Sequence, residues 1–330
     1  MSDIALTEQM ISSPERAIAV RRGGTRDTQF RYVTLAAALL VVAIFIGLIV
    51  TLVLGAMPSI REFGFGFLYS DKWNPVTEKF GALASIYGTI VIAFLAMIVA
   101  VPVGIGIAIF LTEICPRALR RPIGIAIELL AGIPSIIYGI WGLFIFAPWF
   151  QEHVQTPIVD WVVGIPYLED LFAGPPYGIG TFTASLIVSI MILPFISAVT
   201  RDVFETVPPM LKEAAYGLGS TTWEVMWRVV LPFTRVGVVG GAMLALGRAL
   251  GETMAVTFVI GNAHHIQKSL FAPSTTISAT IANEFTEAVG DLYLSALIEL
   301  GLILFFITFI VLASAQLMLR ALERRAGSAT

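Results

Sequence analysis

The chain has 330 residues, of which 57% are hydrophobic and 13% charged, and its mean hydropathy is +0.87. A soluble domain carries roughly 45–50% apolar and about 25% charged residues, so this composition excludes an ordinary soluble enzyme and points to membrane spans. The net charge is −3 and no basic patch interleaved with aromatics occurs, so nucleic acid is not an expected partner. Cys115 stands alone, which excludes a disulfide framework or a cysteine metal cluster within the chain.

Residues 1–31 are polar and include Arg16, Arg21, Arg22, Arg26 and Arg31. The apolar stretch that follows is too long for a cleavable signal peptide and is closed by no small-residue site. The segment reads as a mobile cytoplasmic arm. Six apolar blocks then follow, each about 20 residues or more, the length needed to cross a bilayer: 32–57, 80–111, 122–150, 178–200, 233–260 and 293–319. Pro102, Pro134 and Pro194 lie inside these blocks, and kinks or breaks are expected there because proline lacks the amide donor and clashes with the preceding turn.

Lys and Arg set the orientation. With the N-terminus inside, 15 of the 20 fall in cytoplasmic segments: the arm, Arg117–Arg121, residues 201–235 and the tail 320–330. Arg61, Lys72, Lys79 and Lys268 lie outside, and Arg248 lies within a span. The positive-inside rule then places both termini of a multi-pass protein in the cytoplasm. The fold class is an all-α integral membrane protein with six transmembrane helices. Trp141, Trp149, Trp161, Tyr167 and Tyr177 gather toward the outer interface, and the acidic, aromatic segment 151–180 is the candidate docking face for an external partner. His153 and the pair His264–His265 lack metal-ligand spacing and read as polar loop residues.

The segment between the fourth and fifth spans reads Glu213-Ala214-Ala215, three residues, Gly219, nine residues, Val229, one residue, Leu231-Pro232. Leu211–Leu218 suits a helix, Gly219 and Ser220 a turn, and Thr222–Val230 a second short helix grouping Trp223, Met226 and Trp227. A short cytoplasmic helix that shows apolar and aromatic residues needs a groove to fill; the alternative is a hairpin lying on the membrane surface. The pattern resembles the Glu-Ala-Ala loop of binding-protein-dependent ABC importers, with Val229 where those usually have Ile. Gly-Lys never occurs, so the chain has no phosphate-binding loop of its own and any ATP must be used by a separate subunit.

The fifth block carries Arg248 and, four residues on, Glu252, which places both on one helix face. A buried arginine in a bilayer costs roughly 2.5–3.5 kcal/mol even on lenient scales. Either the two form a self-neutralising pair that holds the bundle, or they line a path for an anion, for which the guanidinium fork is suited. A carboxylate beside such a path fits an anion that carries a proton to donate, as hydrogen phosphate does and sulfate at neutral pH does not. Gly247 and Gly251 are also four apart and are expected to let a neighbouring helix approach. Glu128 is expected to be solvated or to pair with Arg120 or Arg121, and Glu299 to reach the outer interface.

Residues 128–135, 213–232 and 246–256 together resemble the phosphate permeases of binding-protein-dependent ABC importers, over about residues 30 to 320. The resemblance implies a type I, MetI-like transmembrane domain and an import function. It implies a sister permease as heterodimer, two copies of an ATPase that binds ATP and Mg, an external phosphate-binding protein and a phosphate-signalling partner. Arg248 and Glu252 would serve phosphate passage, and no cofactor is implied in this chain. Other cargoes (molybdate, sulfate, phosphonate) and an ATP-independent channel or secondary transporter stay open at this stage.

Overall fold

The computed structural model describes residues 14–172 and 174–327, with side chains over 27–172 and 174–321. Residues 1–13 of the predicted arm and 328–330 of the predicted tail lie outside the described residues. In chain order the helices are α1 (Pro14–Phe63), α2 (Gly66–Tyr69), α3 (Leu83–Ile114), α4 (Arg117–Ala131), α5 (Ser135–Val162), α6 (Leu168–Phe172), α7 (Thr181–Glu205), α8 (Pro209–Gly217), α9 (Thr222–Leu250), α10 (Met254–Val259), α11 (Ile277–Glu284) and α12 (Asp291–Gly327). No sheet occurs among the described residues; isolated bridges at Asn74–Lys79 and Gly261–Ser274 pin loops.

Two units make up the chain, Met1–Leu54 and Gly55–Thr330. In the first, helix replaces the expected mobile arm from Pro14 onward. Proline at the start of a helix loses no internal hydrogen bond, and the Ala and Arg residues that follow are good helix formers. From Phe30 to Leu54 most of its large apolar side chains are exposed, as a lipid-facing helix requires.

The second unit is built around α7, whose side chains are buried along most of its length. Two helices reach it through stripes of small residues repeating every four positions. On α3 these are Ala96, Ala100, Gly104 and Ala108, all buried; a methyl group added to Gly104 would stand 2.6 Å from Ile196 of α7. On α9 they are Gly237, Gly241, Ala245 and Ala249; added methyl groups at Gly237 and Gly241 would meet Val203 and Val199 at 2.6 and 2.7 Å. In lipid no hydrophobic force drives helices together, so close backbone approach of this kind supplies the association through dispersion. α3 and α7 run unbroken through Pro102 and Pro194.

The third predicted span, 122–150, is not one straight helix. It breaks at Gly132–Pro134, and α5 leaves α4 at 89°. Pro134 lacks the amide that would continue α4 and disfavours helical geometry in Ile133. Beyond the predicted end of the span at residue 150, the helix α5 continues to Val162. Among the described residues, five helices are long and apolar enough to cross a membrane, or six if α4 and α5 form one broken span.

Candidate functional site

The fifth span departs furthest from expectation. Its helix stops at Leu250, and Gly251, Glu252 and Thr253 break it before α10 begins at Met254. Arg248 and Glu252 therefore share no helix face and form no ion pair among the described residues. Glu252 is buried, and its Oε1 accepts the Ala255 amide at 3.3 Å. A carboxylate is well placed there because the first amides of a helix have no partner within it. The Glu252 carbonyl accepts Ser278 Oγ at 2.8 Å.

Arg248 sits on the last turn of α9 and is exposed. Its guanidinium lies 4.8 Å from the ring centre of Phe195 on α7, an attractive placement of cation over ring. Leu244, Met254 and Phe195 around it are exposed and apolar. Of the two glycines expected to admit a neighbour, Gly247 faces Leu312 of α12, where an added methyl would stand at 3.3 Å. Gly251 faces only carbonyls of its own preceding turn. It ends the helix, and the glycines that do pack are Gly237 and Gly241.

The break is held by a segment between the fifth and sixth predicted spans. Ser274, Thr275, Thr276, Ser278 and Thr280 are all buried. Thr275 and Thr280 hydroxyls lie 2.9 Å apart, Ser85 Oγ of α3 lies 3.2 Å from Thr280 Oγ1, and Thr89 Oγ1 accepts the Ile277 amide at 3.0 Å. The hydroxyls of Thr275, Thr276, Ser278 and Thr280 each find a partner, which lets the segment stay inside the bundle. The readable signal was the run of small hydroxyl residues at 274–280.

Toward the same end, Glu284 gathers three elements. Its carboxylate accepts Trp73 Nε1 and Tyr293 Oη (2.7 Å for the latter) and is hydrogen-bonded to His264 Nε2 at 2.9 Å. His264 lies in a loop, as expected, and stacks on Trp73 with ring centres 5.4 Å apart. Burial opposes the charged form of Glu284, yet the bonds from His264, Tyr293 and Trp73 outweigh it and hold the carboxyl below 4.5. A depressed folded-state value means stability that is present above the unfolded value and lost as pH falls through the folded one. Glu284→Gln is expected to cost about 1–3 kcal/mol at pH 7, the range for disturbing a buried hydrogen-bond acceptor. Thermal unfolding in detergent should show that gap closing as the pH is taken well below 4.5.

At the opposite end of α7 lies the Glu213–Pro232 segment. α8 covers Pro209–Gly217, Gly219 turns the chain at φ +85°, and Thr221 and Glu224 reciprocally cap the start of α9. The expected separate helix at 222–230 is continuous with α9 through a wider turn at Met226–Val230. Proline at 232 has no amide to return to the preceding turn, and the widened turn absorbs that loss. Met226 points inward with Val225, Val230 and Phe204, apart from the two tryptophans. Trp223 and Trp227, 5.3 Å apart, stay exposed, as do Met210 and Leu218, the last at 88%. Glu213, Ala214 and Pro232 are exposed, Ala215, Val229 and Leu231 half-buried. Lys212 Nζ pairs with Glu113 Oε1 at 2.6 Å and ties α8 to the end of α3.

Two further acids are Glu128 and Glu299. Glu128 is exposed, as expected for a solvated acid, and its ion-pair partner is Arg201 at 2.7 Å rather than Arg120 or Arg121, because α4 lies against α7. Glu299 is 6% exposed and does not reach an interface.

An all-helical bundle with apolar spans, a broken fifth span beside an exposed arginine and a protruding helical turn with bare aromatics is a membrane permease domain. Its fold matches a chain of a bacterial alginate ABC transporter crystallised with an alginate pentasaccharide-bound periplasmic protein, with TM-score 0.60 and 18% identity over 90% of this chain and 96% of that one. The chain belongs to the family of binding-protein-dependent transport system inner membrane components, whose model matches residues 100–328, and it is a multi-pass inner-membrane protein. It is 64% identical to the phosphate transport system permease protein PstC of Mesorhizobium japonicum, over 95% of this chain and 96% of that protein. It is 59% identical to the protein of the same name from Pasteurella multocida, over 90% and 93%.

Proposed function

We propose that this chain is the permease subunit of an ATP-driven importer of inorganic phosphate. It forms half of the translocation path, with Arg248 and Glu252 on that path and both termini in the cytoplasm. The observation that carries the reading is Arg248: a guanidinium exposed on an apolar flank of the bundle. Facing lipid it would cost several kcal/mol, so the flank is covered by another subunit and water. A sister permease of the PstA-like kind completes the cavity. Glu252, fixed by its cap on α10, stands four residues from Arg248 in sequence and accepts a hydrogen bond from the P–OH of hydrogen phosphate, the proton staying on the phosphate.

Energy enters through α8 and the start of α9, which dock into two copies of a PstB-like ATPase. That subunit binds ATP and Mg; this chain holds no cofactor. An external PstS-like phosphate-binding protein delivers cargo against the exposed α5–α6 region, 151–180, and a signalling partner reads the assembly. The strong identity to named phosphate permeases supports the cargo.

Labelled-phosphate uptake in cells stripped of other phosphate importers tests this. With all four components present, uptake should require the chain and resist a hundredfold excess of sulfate, molybdate or phosphonate. Equal displacement by one of these oxyanions would overturn the cargo. Uptake that persists with a hydrolysis-dead ATPase would overturn the energy source.

A further inference from the structure

α4 is amphipathic. Arg117, Arg120, Arg121, Gly124 and Glu128 recur at three- and four-residue spacing along one face, while Leu119, Ile125, Leu129 and Leu130 are exposed around the rest. Its 89° angle to α5 lays it across the bundle, and a helix with such an exposed apolar side and a basic face suits the headgroup layer. Between that basic face and α7 is a cavity of about 360 Å³ lined by Arg117, Arg120, Arg121 and Arg201 with Glu128 and Glu205.

Four guanidinium groups and two carboxylates line this cavity, and a third carboxylate, Asp202, stands beside it on Arg201. Arg201 is engaged by Glu128 at 2.7 Å and by Asp202 at 2.9 Å. Gly124 leaves room for it, since an added methyl would stand 3.2 Å from its Nη1. Arg120 donates one nitrogen to the Thr112 carbonyl, and its Nε is buried with no hydrogen-bond partner. Arg117 and Arg121 have no ion-pair partner among the described residues. The first turn of a 15-residue helix adds the partial positive charge of its free amides. An orphaned donor, two free guanidinium forks and a helix start form the donor set of a phosphate site. With Asp202 on Arg201 counted, three carboxylates oppose four guanidinium groups; the excess of about one positive charge matches a phosphate monoanion, and the volume falls in the range of small-molecule pockets.

We propose that this cavity binds a phosphate group, separately from the Arg248 path. Two sources share that chemistry at this depth: the headgroup of an anionic phospholipid, whose chains would lie along Ile125 and Leu129, and free inorganic phosphate.

The test uses the full chain in non-ionic detergent at constant ionic strength, carrying Arg248→Ala so that only this cavity is read. The probes are short-chain phosphatidylglycerol, diacylglycerol with the same tails, and inorganic phosphate. Arg117→Gln with Arg121→Gln removes two exposed, unpaired charges and leaves Arg120 and Arg201 in place. Arg31→Gln with Arg235→Gln removes the same charge elsewhere. At least one phosphate-bearing probe should bind at least tenfold more weakly to the cavity variant and unchanged to the control. A loss seen for phosphatidylglycerol, with diacylglycerol indifferent, identifies the lipid; a loss seen for inorganic phosphate identifies the free anion. No binding of either phosphate-bearing probe, or equal losses in the two double variants, overturns the proposal.

Discussion

Arg248→Ala is expected to lower phosphate uptake by roughly thirtyfold or more while leaving the folded chain in the membrane. Within the described chain Arg248 contributes its placement over Phe195, worth about 0.5–1 kcal/mol at an exposed site. Its removal is therefore a small change in stability. Its loss to a bound anion is larger. Truncating one member of a desolvated charge pair costs about 2–5 kcal/mol, and each 1.4 kcal/mol is about tenfold. Arg248→Lys keeps the charge but not the planar fork, so it should fall between. Glu252→Gln isolates the second role. The amide oxygen still accepts from Ala255 and the cap on α10 survives, while the charge, and with it the anionic acceptor for the P–OH, goes. Phosphate should then lose preference over sulfate with the permease still assembled. Initial-rate uptake with matched surface expression measures all three; an Arg248→Ala chain that transports within twofold of the parent would falsify the path assignment.

Much of this fold was legible because bilayer physics is strict. Long apolar runs had to become helices, since no other backbone geometry satisfies its amides in lipid, and Pro134 marked a break that exists. Pro102 and Pro194 carried the same residue type yet lie in continuous helices. A local rule gives the loss of one hydrogen bond, whereas the packing of α3 on α7 along Ala96, Ala100 and Gly104 decides whether the helix survives it. The reverse happened at Gly251. No proline stands there, and the i, i+4 spacing of Arg248 and Glu252 argued for one face. The break exists because outside partners replace the helix: Ser278 takes the Glu252 carbonyl, and Glu252 itself supplies the cap that restarts the chain. Those partners lie more than twenty residues away or beyond the break, where periodicity has no reach. The buried hydroxyls at 274–280 were missed for the same reason. A polar run reads as solvated until the Ser85–Thr89 turn that satisfies it is seen.

Coupling should fail when the turn or the bare aromatics at the other end of α7 are altered, and the two failures should look different. Gly219 has φ +85° with open space around it. The obstacle to a side chain there is backbone conformation, not room. Valine at a left-handed position is strained by about 1–2 kcal/mol, which the chain can relieve by reopening the turn and letting α8 swing about its Lys212–Glu113 tether. Gly219→Val is thus expected to leave the spans intact and to misplace α8. Gly219→Asn, which tolerates that backbone region, should retain most function. Trp223→Ala leaves the backbone alone. Trp223 is 66% exposed and packs mainly beside Trp227, so its removal changes the isolated chain little. An exposed tryptophan that anchors an interface contributes about 2 kcal/mol or more, so the ATPase should co-purify roughly thirtyfold less well. Uptake should fall in parallel for Trp223→Ala. For Gly219→Val, uptake should fall further than ATPase retention, because a displaced helix can still be gripped without transmitting its motion. If the ATPase remains bound to Trp223→Ala and transport is unchanged, this segment lies on the membrane surface, and the energy enters elsewhere.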